Sequence, residues 1–482
     1  MTLPNPSRNS LKILTLVGVL AVACSPKKVQ EASTNIVLVN EKPNVIIILT
    51  DDQGYKDVGF NGSPDIRTPN IDRIAKNGAV FTNGYVSYGV CGPSRAGLIT
   101  GRYQDRFGFS LNPLFAPKDS LQGLPRSEET LARALKRSNY RTMAIGKWHL
   151  GAHKSLRPLK RGFDEFFGFL TGGHRYFPEE WVRNDLSELT SHNDAYRTKL
   201  LRNDERIDEK EYLTDALSRE AVEFIGRNTN NPFFLYLAYN APHTPMQATQ
   251  EYLDRYPNIE DKRRRTYAAM ISAVDDGVGD ILNKLEDLGI DDNTIVFYLS
   301  DNGGPEKKNK SDNGPLREGK GSMYEGGIRV PFAVQWPGVI PSSSQYDQPI
   351  ISLDIFATAI SQAGVTPKNE LDGIDLIPYL TGKKLDAPHD NLFWRQYKTN
   401  GLAVRSGSIK LVKDKKGELE LYNLDFDIGE TNLLEDQMKF QQLKRLHDTW
   451  NSKNLNPVFM GLTQNDEYNK IHPERFTDGE KY

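Results

Sequence analysis

Asn44-Val45-Ile46-Ile47-Ile48-Leu49-Thr50-Asp51-Asp52 sets five apolar residues, four of them β-branched, directly before a pair of aspartates. A run this short and this uniformly apolar reads as a strand buried on both faces. Three further runs end in the same way. Thr294–Leu299 passes through Ser300 into Asp301-Asn302. Thr142–Ile145 leads through Gly146 to Lys147 and His149, and Phe233–Tyr239 leads into Asn240-Ala241-Pro242-His243. From Asn44 onward such runs alternate with helical patterns, which predicts an α/β fold on a large, mostly parallel or mixed sheet. Open α/β sheets bind ligands beyond the carboxyl ends of their strands. If the four strands are parallel neighbours, all four polar clusters meet on one rim.

Asp51, Asp52, Asp301 and Asn302 would then form an all-oxygen set. Such a set selects hard cations, Ca²⁺ before Mg²⁺, and offers zinc neither thiolate nor imidazole. One Asp-Asp pair is common in turns; two such pairs after two strands carry more weight. Between the strands, Met270, Val274, Val278, Ile281, Leu285 and Leu288 lie on one helical face, closed by Gly289. Shorter helices are predicted over Ile71–Lys76, stopped by Gly78, and over Glu128–Arg137, with Ser127 as N-cap. The texture changes near Gly382–Pro388. Three strand-like runs follow, Asn391–Arg395, Leu402–Val412 and Glu418–Asp427, and then a helix from about Gln437 to Trp450. This predicts a smaller C-terminal α+β subdomain with an antiparallel sheet, residues 383–482, beside a main domain of residues 43–382. No internal repeat or low-complexity segment is present.

At 38% hydrophobic residues the chain can bury a substantial core. Residues 1–23 read as a secretory leader, with Arg8 and Lys12 before an apolar run too short to span a bilayer. Its loss takes the formal charge from −2 to −4, a balance that argues against nucleic acid and leaves any polyanion to local basic clusters. Leu20-Ala21-Val22-Ala23-Cys24 resembles a bacterial lipobox, with Ala21 where Leu is expected; the alternative is an ordinary signal peptide cleaved near Ala23. Lipidation of Cys24 would anchor the chain to a membrane, with residues 24–42 as a polar tether. Ser25-Pro26-Lys27-Lys28-Val29-Gln30-Glu31 is basic first and has no acidic cluster beside the cysteine, which favours a periplasm-facing anchor over the outer surface.

Cys91-Gly92-Pro93-Ser94-Arg95-Ala96-Gly97-Leu98-Ile99-Thr100-Gly101 closely resembles the signature of the type I sulfatases, Cys-x-Pro-Ser-Arg-x-x-x-x-Thr-Gly. Three other stretches resemble that family in its own order: Gly146-Lys147-Trp148-His149-Leu150-Gly151, Ala241-Pro242-His243-Thr244-Pro245, and Gly319–Pro331 around Lys320. The resemblance implies an alkaline-phosphatase-like fold and a divalent metal held by Asp51, Asp52, residue 91, Asp301 and Asn302. It also implies a maturation enzyme that oxidises Cys91 to formylglycine. The hydrated aldehyde attacks sulfur with one hydroxyl and later expels sulfate with the other. By the same resemblance Asp301 takes the proton of the attacking hydroxyl, and Arg95, Lys147 and Lys320 supply fixed positive charge. His243, with Lys320 beside it, protonates the leaving sugar oxygen, and His149 promotes release of sulfate.

Two other functions share the fold. A phosphoesterase or phosphonate hydrolase is one, although a Ser or Thr nucleophile would suit it better. A non-catalytic, glycan-binding lipoprotein derived from a sulfatase is the other. For a sulfatase, the expected substrate is a sulfated polysaccharide or its oligosaccharides, with marine algal ulvan or carrageenan ahead of glycosaminoglycan. Candidate sugar contacts are His174 and Arg175 in the Gly172–Tyr176 loop, and Trp394-Arg395 in the small domain; each also has a purely structural reading.

Overall fold

The computed structural model describes residues 42–184, 188, 189, 191, 193–415 and 417–476. The leader, Cys24 and all but the last residue of the tether lie outside the described residues.

The main sheet contains ten strands among those residues. In chain order they are β1 (Asn44–Thr50), β2 (Gly78–Phe81), β3 (Arg141–Lys147), β4 (Glu165–Phe169), β5 (Leu201–Arg202), β6 (Glu205–Arg206), β7 (Phe233–Ala238), β8 (Thr294–Ser300), β9 (Phe332–Gln335) and β10 (Ser344–Tyr346). Their spatial order is β10-β2-β9-β8-β1-β7-β3-β4-β5-β6. The central five, β8-β1-β7-β3-β4, are all parallel. β9 turns antiparallel on one side and β5 on the other.

The opening run of sequence occupies the middle of this sheet. Val45, Ile47 and Leu49 enter one hydrophobic core, and Ile46 and Ile48 enter the other. That division follows from the two-residue period of a strand: a continuous apolar run is required where both faces are covered. The second face is covered by the helix Lys262–Asp287, which buries Met270, Val274, Val278, Ile281 and Leu285. Gly289, at φ +63°, turns the chain after it. The first face is covered by three helices, Cys91–Thr100, Leu131–Lys136 and Asp354–Gln362.

The C-terminal sheet is antiparallel throughout, with β11 (Leu392–Gln396), β12 (Gly401–Ser406), β13 (Ile409–Lys413) and β14 (Glu420–Asn423). The helix Gln437–Asn451 packs on it through Leu443 and Trp450. The fold class read from the sequence is therefore present: a large, mostly parallel sheet between helices and a small antiparallel sheet after it.

Three local expectations are corrected. Leu402–Val412 is two strands, because Gly407 at φ +58° allows a tight turn between them. The helix expected from Glu128 begins at Leu131, and its cap is Thr130, whose hydroxyl accepts from the Arg133 amide. The first helix, Pro69–Lys76, is capped by Asn77, and Gly78 opens β2 instead of ending the helix.

Candidate active site

Parallel neighbours carry their polar ends to one rim. Beyond the strands the ladder continues: the Asp301 amide donates to the Thr50 carbonyl at 3.0 Å, and the Asp51 amide to the Ala241 carbonyl at 3.1 Å. The loops after β8, β1 and β7 are thereby fixed side by side. Lys147 is the last residue of β3. Asp52 and His149 both adopt the left-handed region, at φ +67° and +54°. For residues with a Cβ this costs on the order of 1 kcal/mol or more, and such strain persists where the surroundings dictate it.

Cys91 is the first residue of its helix, and Arg95 lies one turn further on. An i, i+4 spacing puts both side chains on one face, and that face meets the carboxylates. The Cys91 sulfur lies 3.5 Å from Asp51 Oδ1 and 3.1 Å from Lys320 Nζ. Arg95 donates through Nε to Asp301 Oδ2 at 2.8 Å, and its Nη2 stands 2.8 Å from the same oxygen and 3.6 Å from Asp51 Oδ2. The ammonium of Lys147 pairs with that same Oδ2 of Asp51. Lys320 reaches Asp52 Oδ1 at 2.5 Å. It arrives on a segment tied to its neighbours, with its own amide on the Gly304 carbonyl and that of Gly321 on Gly89.

Burial decides the electrostatics. Asp51, Asp301, Asn302 and Arg95 are 0% exposed. Burial, and then the Asp51 carboxylate, push the Cys91 thiol up to about 12. As a thiol it stays protonated at neutral pH and is a weak nucleophile. Burial would likewise lift Asp52, yet Lys320 and His243 outweigh it and hold that carboxyl at about 2. Burial and Asp51 raise Asp301 against the pull of Arg95. Burial drives His243 down to about 3, with Asp52 opposing. Its Nδ1 faces the Thr244 carbonyl at 2.6 Å and so donates there, which leaves Nε2, 3.7 Å from Asp52 Oδ2, without a proton while the ring is neutral.

The donor set fits a hard divalent cation. One ligand atom each from Asp51, Asp52, Cys91 and Asp301 lies within 4.8 Å of every other. Asn302 donates an amide N–H to Asp52 Oδ1 at 2.7 Å, while its Oδ1 is buried with no hydrogen-bond partner among the described residues. A buried carbonyl oxygen left unpaired is costly, and a cation beside these carboxylates would satisfy it.

The Gly172–Gly173 stretch packs over the two histidines. A Cβ on Gly172 would come within 2.8 Å of His149 Nε2, and one on Gly173 within 3.1 Å of His243 Cε1. Of the four tentative sugar contacts, Arg175 remains available, with its side chain 40% exposed beside Glu180. The other three are corrected. His174 is fully buried, its ring nitrogens on the carbonyls of Arg175 and Thr198. Trp394 is fully buried and donates its indole N–H to the Val86 carbonyl. Arg395 is engaged by Asp105, Asn451 and the Leu455 carbonyl. All three fasten one segment to another. Tyr196 was not anticipated: its ring lies 2.9 Å from the position of a Cβ on Gly173, in a stretch with no periodic pattern to point to it.

The Sulfatase family profile matches residues 43–365, and the profile of the N-sulphoglucosamine sulphohydrolase C-terminal region matches residues 319–454. Human N-acetylgalactosamine-6-sulfatase is 35% identical over 367 residues, which span 72% of this chain and 68% of that protein. Human steryl-sulfatase is 32% identical over 424 residues, 73% of this chain and 72% of its own. The crystal structure of Ps i-CgsB in complex with k-i-k-neocarrahexaose superposes with a TM-score of 0.83 at 38% identity, covering 91% of this chain and all of the other. Matches of this extent, on a chain whose signature cysteine, carboxylates and lysines meet at one rim, establish that the chain belongs to the sulfatase family and is a sulfuric ester hydrolase.

Proposed function

We propose that this sulfatase removes sulfate esters from carrageenan-type galactan oligosaccharides. Neocarrahexaose is a carrageenan hexasaccharide, and N-acetylgalactosamine shares the galacto configuration, so two relatives at similar identity support the same ring stereochemistry. Ulvan has no comparable support. Glycosaminoglycan is the second reading, favoured by the match to the N-sulphoglucosamine sulphohydrolase C-terminal region.

The observation that carries the mechanism is the setting of residue 91, buried between an acid and a cation. Oxidised by a formylglycine-generating enzyme, it would supply as its hydrate both the attacking hydroxyl and the group that later expels sulfate. Ca²⁺, with Mg²⁺ as the alternative, would be held by Asp51, Asp52, residue 91, Asp301 and Asn302 and would polarise a sulfate oxygen. Lys320 aims its ammonium at the Cys91 sulfur, which stands where a hydroxyl of the formylglycine hydrate would be, so positive charge would be in place there without reorganisation. Asp301, made more basic by burial and by Asp51, accepts a proton there. Arg95 and Lys147 fix the carboxylates and present positive charge to the sulfuryl oxygens. His243 delivers a proton to the leaving sugar oxygen once Nε2 is charged, with Lys320 beside it, and His149 assists release of sulfate.

The test is two-dimensional NMR of carrageenan oligosaccharides and glycosaminoglycan disaccharides, using protein co-produced with a maturation enzyme. The expected result is an upfield shift at one sulfated galactose carbon. Desulfation confined to glycosaminoglycans would overturn the galactan reading. We also propose the segmentation into residues 43–382 and 383–482, and a periplasm-facing lipid anchor at Cys24. Membrane association that survives Cys24→Ala would refute the anchor, and digestion by protease added to intact cells would refute its orientation.

A further inference from the structure

With a formal charge of −2, the protein as a whole offers a polyanion no attraction. One place on its surface departs from that balance. A cavity of about 710 Å³ is walled by Arg126, Arg133, Lys154, Arg157 and Lys160, against a single carboxylate, Asp204. Asp204 is already taken by Arg157 at 3.3 Å. Among the described residues no carboxylate pairs with Arg126, Lys154 or Lys160. His153 lines the same cavity; its Nδ1 accepts from the Ser155 amide, so the neutral ring keeps its proton on Nε2. Buried Arg161 behind the wall registers the crowding, since burial, and then Arg133, bring its guanidinium down to about 9.

Arg126 also lines a second cavity, of about 550 Å³. That wall is mixed: Phe107, Leu121, Pro125, Leu455 and Val458 give it apolar surface, while its other arginines, Arg102 and Arg106, are already paired with Glu128 at 2.5 Å and Asp372 at 2.9 Å. Leu121 is 71% exposed. Both cavities border Arg126, and read together as one groove they offer apolar surface for the faces of sugar rings beside guanidinium forks for sulfate oxygens. None of the residues gathered at the catalytic rim lines either half. The groove is nevertheless fastened to that rim. The Leu124 amide donates to the Leu150 carbonyl at 2.8 Å, and Gly123 bridges to Gly151, just beyond His149. Single-stranded nucleic acid would need exposed aromatic rings to stack on, and Phe107 is 4% exposed.

We infer that this groove is a second binding site, which takes a sulfated stretch of glycan outside the catalytic centre, so that longer chains are held at two places. The inference rests on the sulfated-glycan reading above. Its test compares the Cys91→Ala protein with the same protein carrying Arg126→Ala, Lys154→Ala and Lys160→Ala, three exposed side chains. Calorimetry would use a carrageenan hexasaccharide, the sulfated disaccharide and chemically desulfated hexasaccharide. The expected result is that the hexasaccharide binds tighter than the disaccharide in the parent, and that the triple change weakens it about tenfold, the sum of three modest ion-pair losses. Desulfated hexasaccharide should show no difference. In otherwise unaltered enzyme, turnover of 4-methylumbelliferyl sulfate should be unaffected by the triple change. Equal hexasaccharide affinity in both proteins would overturn the groove while leaving the function standing. Absence of sulfate release from the hexasaccharide by unaltered enzyme would instead overturn the function. An oligonucleotide of equal charge, bound by the parent as tightly as the hexasaccharide, would overturn the assignment of the ligand.

Discussion

Arg95→Met removes the guanidinium that holds Asp301 and leans on Asp51. Both acceptor carboxylates are fully buried, and the guanidinium contacts them at 2.8 and 3.6 Å. Methionine nearly matches the volume of the stem but leaves a buried carboxylate unpaired, and breaking a buried ion pair from one side costs about 3–5 kcal/mol. With unfolding entropy near 2.1 cal/mol/K per residue, about 430 residues give roughly 0.9 kcal/mol/K, so the melting temperature should fall by about 3–6 °C. Arg73→Met is the control. Its pair with Glu286 is exposed on both sides, and an exposed pair contributes about 0–1 kcal/mol. Under the proposed function, kcat of Arg95→Met should also fall by about 10²–10³, the usual loss when one preorganised donor is removed. Scanning calorimetry at fixed scan rate and a sulfate-release assay on matured protein measure the two effects. A melting temperature within 1 °C of the parent, together with unchanged kcat, would refute the reasoning from burial.

Mass spectrometry of the peptide containing residue 91 should show an aldehyde or its hydrate after co-production with a maturation enzyme, and Cys91→Ala should lose nearly all turnover; active enzyme carrying only the thiol would contradict the mechanism. Asp52→Ala and Asp301→Ala should each lower bound calcium and kcat together by elemental analysis and assay, whereas full activity after exhaustive chelation would rule the metal out. Glu430 lies buried on Lys410, and burial, with Glu325 also raising it against Lys410, lifts its pKa from 4.5 to about 7. An acid raised on folding binds more protons folded than unfolded, so its contribution to stability is present below about pH 4.5 and is lost as pH rises towards 7. The melting temperature of the parent should therefore fall relative to that of Glu430→Gln across this window, and parallel curves would count against it.

The parts of this molecule legible in the sequence are those with a short period or a fixed local order. β1 betrays its place at the centre of the sheet because both faces need apolar residues, and Val45–Leu49 supplies them without interruption. The rim was legible for a related reason: a charged pair tolerated beside a fully buried strand needs a partner, and the strand directions supply it. The hairpin inside Leu402–Val412 was hidden because one glycine suffices for the turn. Trp394 and Arg395 looked like sugar contacts because a tryptophan beside an arginine suits either a ligand or a subdomain seam. What separates the two is where the Val86 carbonyl and the Asp105 carboxylate lie, some three hundred residues earlier in the chain. Tyr196 had no signal at all, since its position is set by packing on Gly173 and not by its own neighbours in sequence.

The charge count at the rim explains why so polar a site can exist beneath the surface. Asp51, Asp52 and Asp301 face Arg95, Lys147 and Lys320, three carboxylates against three cations, each carboxylate with a cation at ion-pair distance. Such a cluster can fold without help, because no buried charge is left uncompensated. A divalent cation added to it would leave a surplus of two positive charges. A sulfate ester brings one negative charge, and ionisation of the nucleophile brings the other. Affinity for cation and affinity for sulfate must then rise together, each changing the other by the same factor. Arg95→Met tips that balance one charge towards the acids. The variant that loses stability should therefore hold its cation more tightly and the sulfate less tightly than the parent. An incidental structural arginine would change neither.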